Sequence, residues 1–259
     1  MLTRLNAAPL PQPAHVVVVV EENKSIYDIE GNVHAPYING LMKRGALFTN
    51  SHGVMHPSLP NYLALFAGVT NDNGDGCPAH GISPSAPNLS SELRAAHRSF
   101  TGYAEAQPQT GFRGCWAGTY ARKHVPWTEF TNVPDSEILP FAALRSYDSL
   151  PTVAFLIPDV NNDMHDGSIA QGDAWLARNL APLLRWADAH NTLVILTWDE
   201  GFDNANTIPT VFVGPMVRAG RYNELVDHFR VLRTIEDLYG LPALGRSAQR
   251  APIADVWKR

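Results

Sequence analysis

A chain of 259 residues, 45% hydrophobic and 17% charged, has the apolar material for a sizeable core and the length for one large α/β domain or two small ones. Its net charge of −5, with no basic stripe, argues against nucleic acid as the main partner. No apolar run approaches the roughly 20 residues needed to span a bilayer, and no Gly/Ser tract, charge block or internal repeat marks a linker.

Residues 1–14 are Pro-rich and polar and read as a loose N-terminal arm, without the apolar core of about 7–15 residues that a signal peptide carries. His15 to Val20 sets five valines behind a histidine. That run is too uniformly apolar for a half-exposed strand and suits a parallel core strand. Pro36 to Gly45 reads as a helix with Ile38, Leu41 and Met42 on one face, and Ala46 to Ser51 as a short strand. Ser58 to Gly68 reads as a helix: Ser58 suits the N-cap, Leu63, Leu65 and Phe66 face the core, and Gly68 stops it. Val69 to Pro134 is rich in Gly, Pro, Asn and Ser and shows one clear strand, Ser99 to Ala104. A loop-rich stretch of that length is usually functional, and it reads as an insertion folded over a site.

Regular alternation then resumes. Thr152 to Ile157 reads as a strand ending at Pro158-Asp159. Ile169 to His190 reads as a helix presenting Leu176, Leu180, Leu183, Leu184 and Ala187 on one face, with Pro182 predicted to kink or restart it. Thr192 to Trp198 and Pro209 to Val213 read as strands, and Phe229 to Tyr239 as a helix ended by Gly240. This alternation predicts an α/β fold, a central, mostly parallel sheet flanked by helices on both faces, in a single domain over 15–259 with the insertion at about 69–134. The two cysteines, Cys77 and Cys115, sit in loop-like surroundings without the close His or Cys neighbours of a metal pair. A disulfide is the favoured reading and would imply an oxidising compartment; two unrelated thiols are the alternative.

The chemistry gathers where strands end. Glu21-Glu22-Asn23 follows the valine run, and Asp199-Glu200 follows Thr192 to Trp198. Each alone passes for an ordinary polar turn. Together, on neighbouring strands, they would crowd carboxylates that raise one another's pKa, a penalty a bound cation removes. Oxygen donors of this kind suit a hard divalent ion at the carboxyl edge of the sheet, where open α/β folds carry their sites. Ser58, between His56-Pro57 and Leu59-Pro60, is a candidate nucleophile at a helix N-terminus, where phosphate also binds; a plain capping serine is the alternative. Asn61, one turn later, can direct its amide at the same phosphate, and His56 and His52 flank the turn. The segment Pro158 to Gly167 also lies at the carboxyl edge. There His165 is a candidate for proton transfer or a phosphoryl hydrogen bond, with Asp159, Asp163 and Asp166 able to orient it. Its Asp/Asn run superficially resembles a calcium loop, the minor alternative, but lacks the full pattern of a glycine followed by a distant glutamate.

Glu22-Asn23-Lys24-Ser25, His56-Pro57-Ser58-Leu59-Pro60-Asn61-Tyr62, Pro158-Asp159 through His165-Asp166, and Thr197-Trp198-Asp199-Glu200-Gly201 resemble, in order, four motifs of the phosphoesterase family of bacterial acid phosphatases and phosphatidylcholine-type phospholipases C. The resemblance implies the alkaline phosphatase superfamily architecture. It also implies one divalent metal, calcium, magnesium, manganese or zinc, held by Glu22, Asn23, Asp199 and Glu200 and completed by Ser58 as nucleophile. His165 would assist at the phosphoryl or leaving group, with Asn61, His56 and Asp159 on the substrate. Many phospholipase members have His where this chain has Gly201, often use threonine where it has Ser58, and carry extra C-terminal domains. These departures favour a compact phosphatase.

The expectation is therefore a metal-dependent phosphoric ester hydrolase, acid phosphatase-like, acting on a small phosphate monoester through a phosphoserine. A phospholipase C or other phosphodiesterase is the alternative, and a metal- or phosphate-binding protein without turnover a third. The disulfide reading points to the periplasm or the cell exterior, with a signal already removed; the cytoplasm is the alternative.

Overall fold

The structure, a computed structural model, describes residues 10–258. Of the predicted N-terminal arm, residues 1–9 lie outside the described residues, while Leu10 packs on the core and Pro13 is buried. Twelve strands follow in chain order: β1 (His15–Glu21), β2 (Ala46–Phe48), β3 (Ser51–His52), β4 (Phe100–Ala104), β5 (Trp116–Ala117) and β6 (Tyr120–Ala121). The rest are β7 (Ile138–Pro140), β8 (Val153–Ile157), β9 (Thr192–Trp198), β10 (Thr210–Val213), β11 (Gly220–Tyr222) and β12 (Val226–Asp227). The helices are α1 (Ile26–Ile29), α2 (Pro36–Arg44), α3 (Ser58–Ala67), α4 (Leu89–Ala95), α5 (Ile169–Ala187) and α6 (His228–Tyr239).

Eight strands form the central sheet in the order β11-β2-β10-β9-β1-β8-β4-β7. Every pairing in it is parallel except those of β10, which runs against both β9 and β2. β1 is central because its five valines are buried on both faces. Fully burying one such side chain contributes roughly 1.5–3 kcal/mol.

Strand alternation decides which way each residue faces. Val16, Val18 and Val20 pack with Leu59, Leu63 and Phe66 of α3 and with Leu232 and Ile235 of α6. Val17 and Val19 pack with Ile38 and Leu41 of α2 and with Trp175, Leu176 and Leu180 of α5. The even positions of β1 therefore face α3 and the odd positions face α5. The register Glu21↔Trp198 ends β1 and β9 level with each other, so Glu22 and Asp199 leave the sheet side by side.

Three expectations need correction. α5 runs unbroken through Pro182, because its leucine face is held against the sheet by Leu176, Leu180, Leu183 and Leu184. The strand read over Ala46 to Ser51 is two strands, with β3 pairing β12 outside the main sheet. The stretch 69–134 is more than a loop-rich cover: its strand β4 lies between β8 and β7 in the central sheet, and it also supplies α4 and the β5–β6 hairpin.

Cys77 and Cys115 are joined as a disulfide across 38 residues, with Cα atoms 5.9 Å apart. The bond ties the loop after α3 to the β5–β6 hairpin. Replacing both cysteines by serine is expected to lower stability by roughly 2–4 kcal/mol, read as a fall in Tm; an unchanged Tm would contradict this tether.

Candidate active site

Glu22 leaves β1 on the α3 side of the sheet, in step with Val16, Val18 and Val20, and Asn23 follows it in a left-handed turn at φ 56°. Asp199 arrives beside them, and its Oδ1 accepts the Asn23 backbone N–H at 3.1 Å. Glu21, of opposite parity, lies apart from this group. Both its oxygens are buried without hydrogen-bond partners, and burial, then Asp163, pushes its carboxyl well above the usual range.

Ser58 is the first residue of α3, and Pro57 rather than Ser58 occupies the N-cap. The side chain is thereby released from capping and turns inward. Its hydroxyl donates to Glu22 Oε2 at 3.1 Å and also helps hold down the carboxyls of Asp199 and Glu200. Tyr62, one helical turn later, donates its phenol to Glu22 Oε1. Burial, then the Glu22 charge, holds that phenol well above the usual tyrosine value, so it remains a donor.

The carboxylates are poorly compensated. Burial, then Asp199 and Asp163, pushes Glu22 well above the ordinary carboxylate range. Burial pushes Asp199 up to about 7, with neighbouring Glu200 adding to the rise. Burial likewise pushes Glu200 up to about 7, with Asp75 adding. His56 pairs its Nδ1 with Glu200 and lines the opening.

His124 is buried between two acids, with Nε2 3.2 Å from Glu22 Oε1 and Nδ1 3.0 Å from Asp163 Oδ2, and its ring stacks on Tyr62. Burial, then Lys123 and His165, holds its pKa well below the usual imidazole value, so the ring is neutral and only one of its nitrogens carries hydrogen. The other presents a lone pair to a carboxylate, an arrangement that needs a bridging proton or cation. His165 lies beside it, ring centroids 5.5 Å apart. Lys123 Nζ donates to His165 Nε2 at 3.1 Å, so the ring hydrogen sits on Nδ1, which donates to Asp166 Oδ1 at 2.7 Å.

The donor set fits a divalent cation. Glu22, His124 and His165 each offer one ligand atom, all within 4.8 Å of one another. Asp199 Oδ2, Asn23 Oδ1 and His124 Nε2 are buried with no hydrogen-bond partner, the state expected of atoms shaped to hold an ion.

A cavity of about 470 Å³ opens above this group, lined by Asn23, His56, Ser58, Lys123, His165 and Glu200 among others. Two predicted substrate residues lie elsewhere. Asn61 turns beneath the serine turn: its Oδ1 accepts Val54 N–H at 2.8 Å and its Nδ2 donates to Met55 O at 2.8 Å and Pro57 O at 3.2 Å. Its amide braces the turn and leaves nothing to offer a phosphate. Asp159 is spent on its own loop and on the β5–β6 turn, accepting from the Asn161 and Asn162 backbones and from the Thr119 hydroxyl at 2.6 Å. Gly201 has a steric reason to be glycine, since a Cβ there would lie 2.1 Å from the Thr207 carbonyl oxygen. Sequence reasoning missed His124, Lys123 and Asp75 as site residues, gave Tyr62 no role, and named Asp163 only as a partner of His165, whereas its carboxylate lies 3.0 Å from His124 Nδ1. Of these, only Tyr62 carried a local signal, its i+4 spacing from Ser58.

Residues 31–242 match the Phosphoesterase family. A phosphatidylinositol-3-phosphatase of Mycobacterium tuberculosis is 51% identical over 258 residues, covering 98% of this chain and 86% of that protein. A phosphate-repressible acid phosphatase of Penicillium chrysogenum is 30% identical over 81% of this chain, which spans 55% of that relative's length. In structure, a protein in the alkaline phosphatase superfamily from Vibrio parahaemolyticus aligns over 95% of this chain and 72% of its own, with a TM-score of 0.68 at 12% identity, a likeness of fold alone. With most of its length matched and a serine and carboxylates assembled at the sheet edge, the chain belongs to the Phosphoesterase family and is a phosphoric ester hydrolase.

Proposed function

We propose that the chain is a divalent-metal-dependent phosphomonoesterase in which Ser58 attacks phosphorus and a phosphoserine forms and is hydrolysed. The observation that carries this reading is the Ser58 hydroxyl, buried at the start of α3, donating to Glu22 beneath an open cavity. Glu22, Asn23, Ser58, Asp199 and Glu200 would hold the ion, with His124 supplying nitrogen at the same place. When bound, such an ion lowers the pKa of the serine hydroxyl and neutralises charge at the phosphoryl oxygens. A mixed oxygen and imidazole donor set favours manganese or zinc over calcium.

The chain's own groups supply the rest. As the Ser58 Oγ–P bond forms, the P–O bond to the leaving group breaks, and Glu22 is positioned to receive the serine proton. The α3 N-terminus offers its partial positive charge to the phosphoryl oxygens. In the second half, water attacks phosphorus and restores serine. His165, its Nδ1–H held by Asp166 and its Nε2 accepting from Lys123, orients that lysine, while a proton of the water passes to Glu22 and on to the Ser58 oxygen as the Oγ–P bond breaks.

For substrate, we extend to this chain the activity for which its 51%-identical relative is named, hydrolysis of the 3-phosphate of phosphatidylinositol. Phe202, 72% exposed on the cavity rim, supports a substrate with an apolar portion. The Cys77–Cys115 bond supports a periplasmic or extracellular location.

Ser58→Ala is expected to lower kcat on p-nitrophenyl phosphate by at least about 10³-fold with an unchanged Tm. Wild-type turnover in that variant would remove the nucleophile assignment. Hydrolysis of phosphatidylcholine with no release from p-nitrophenyl phosphate or phosphatidylinositol 3-phosphate would replace the monoesterase by a phospholipase C.

The raised carboxyls give a pH test. Asp199 and Glu200 keep protons up to about 7 in the folded chain, whereas unfolded carboxyls release them near about 4. The folded state binds more protons in that window, so without a cation stability falls as pH rises from about 4 to about 7. A bound cation removes the penalty. At one fixed ion concentration, the rise in Tm on adding manganese or zinc to chelator-treated protein should therefore be larger at pH 8 than at pH 5; a concentration of about 100 times the Kd corresponds to a stabilisation of about 2.7 kcal/mol. Equal rises at the two pH values would contradict the ligand assignment.

A further inference from the structure

A phosphate ester entering this cavity meets mostly negative charge: Glu200, Asp75 and Asp203 line it, and Glu22 and Asp199 lie beneath. Even with a divalent ion bound, a dianion needs a further cation. Among the described residues lining the cavity, Lys123 is the only Lys or Arg. It comes from the 3₁₀ turn Arg122–His124, directly after the β5–β6 hairpin. Its side chain is 11% exposed, so the ammonium lies in the cavity wall rather than out in solvent.

The ammonium is held on two sides. Asp75 Oδ2 accepts from Nζ at 2.7 Å, and His165 Nε2 accepts at 3.1 Å. Asp75 Oδ1 accepts the Leu59 backbone N–H at 2.9 Å, so one carboxylate ties Lys123 to the residue following Ser58. The distance from lysine to nucleophile is thus set by two hydrogen bonds to one side chain. Cys77 follows Asp75 by two residues, and its bond to Cys115 links the loop carrying Asp75 to the hairpin that leads into Lys123. An ammonium has three N–H donors, and two are used here, leaving one for the cavity.

We infer that Lys123 is a catalytic residue that binds the phosphoryl oxygens of the substrate, and that Asp75 positions it beside Ser58. This rests on the phosphomonoesterase reading above. The contact exists in both the bound ester and the product phosphate, so its loss appears as weaker binding of the two.

The test uses the full chain with the divalent ion that supports turnover, in four forms: wild type, Lys123→Met, Lys123→Arg and Ser58→Ala. Lys123→Met keeps the aliphatic stem and removes the charge. Binding of inorganic phosphate is followed by calorimetry, alongside KM and kcat for p-nitrophenyl phosphate and the Tm of each form. A charge-assisted hydrogen bond of this kind corresponds to about 10- to 100-fold in affinity. Lys123→Met should raise the phosphate Kd and the KM by that factor, Lys123→Arg should recover part of the loss, and Ser58→Ala should still bind phosphate. A Lys123→Met variant with wild-type phosphate affinity and KM but a lower Tm would overturn the inference and leave Lys123 a structural partner of Asp75. Failure of the phosphomonoesterase reading is distinct, because there wild type itself releases no p-nitrophenol.

Discussion

Buried carboxylates crowded at one edge of the sheet are the constraint on which the rest of this structure depends. Glu22, Asp163 and Asp199 are each 1% exposed or less, and Glu200 only slightly more. Each buried, uncompensated charge costs several kcal/mol. The fold offsets that cost with the valines of β1 and the helices packed on either face. It also surrounds the acids with donors: Tyr62 and Ser58 on Glu22, the Asn23 backbone on Asp199, and His56 on Glu200. What remains unmatched at Asp199 Oδ2, Asn23 Oδ1 and His124 Nε2 is the binding capacity that stability alone would not retain.

How far the site can be read from the sequence follows from where its parts originate. Uniformly apolar runs announce β1, β8 and β9, and residues directly after such runs must emerge at the carboxyl edge, so Glu22, Asn23, Asp199 and Glu200 could be placed without coordinates. Ser58 was visible as the start of a helix, although its exact position, first helical residue rather than cap, was not. Asn61 and Asp159 were misread for one physical reason. Short polar side chains beside turns are often consumed by backbone groups, and sequence does not say which partner wins. His124 and Lys123 come from a 3₁₀ turn with no periodicity, and Asp75 from an irregular loop, so only tertiary folding discloses them.

The stretch 69–134 has a double role. Its strand β4 completes the sheet, while its irregular parts deliver Asp75, Lys123 and His124 to a floor made by β1, β9 and α3. The floor therefore carries most of the negative charge and the cover carries the lysine and a histidine. The disulfide holds two pieces of that cover in fixed relation. Gly201 lies against the Thr207 carbonyl and leaves no room for a side chain.

The central claim is that Ser58 carries the phosphoryl group between attack and release. The most direct measurement is peptide mass spectrometry of protein quenched in acid during turnover of p-nitrophenyl phosphate. The account predicts a phosphate adduct on the peptide containing Ser58, found only while substrate is present and absent from Ser58→Ala. Turnover with no adduct on that serine at any quench time, or with an adduct on another residue, would contradict it.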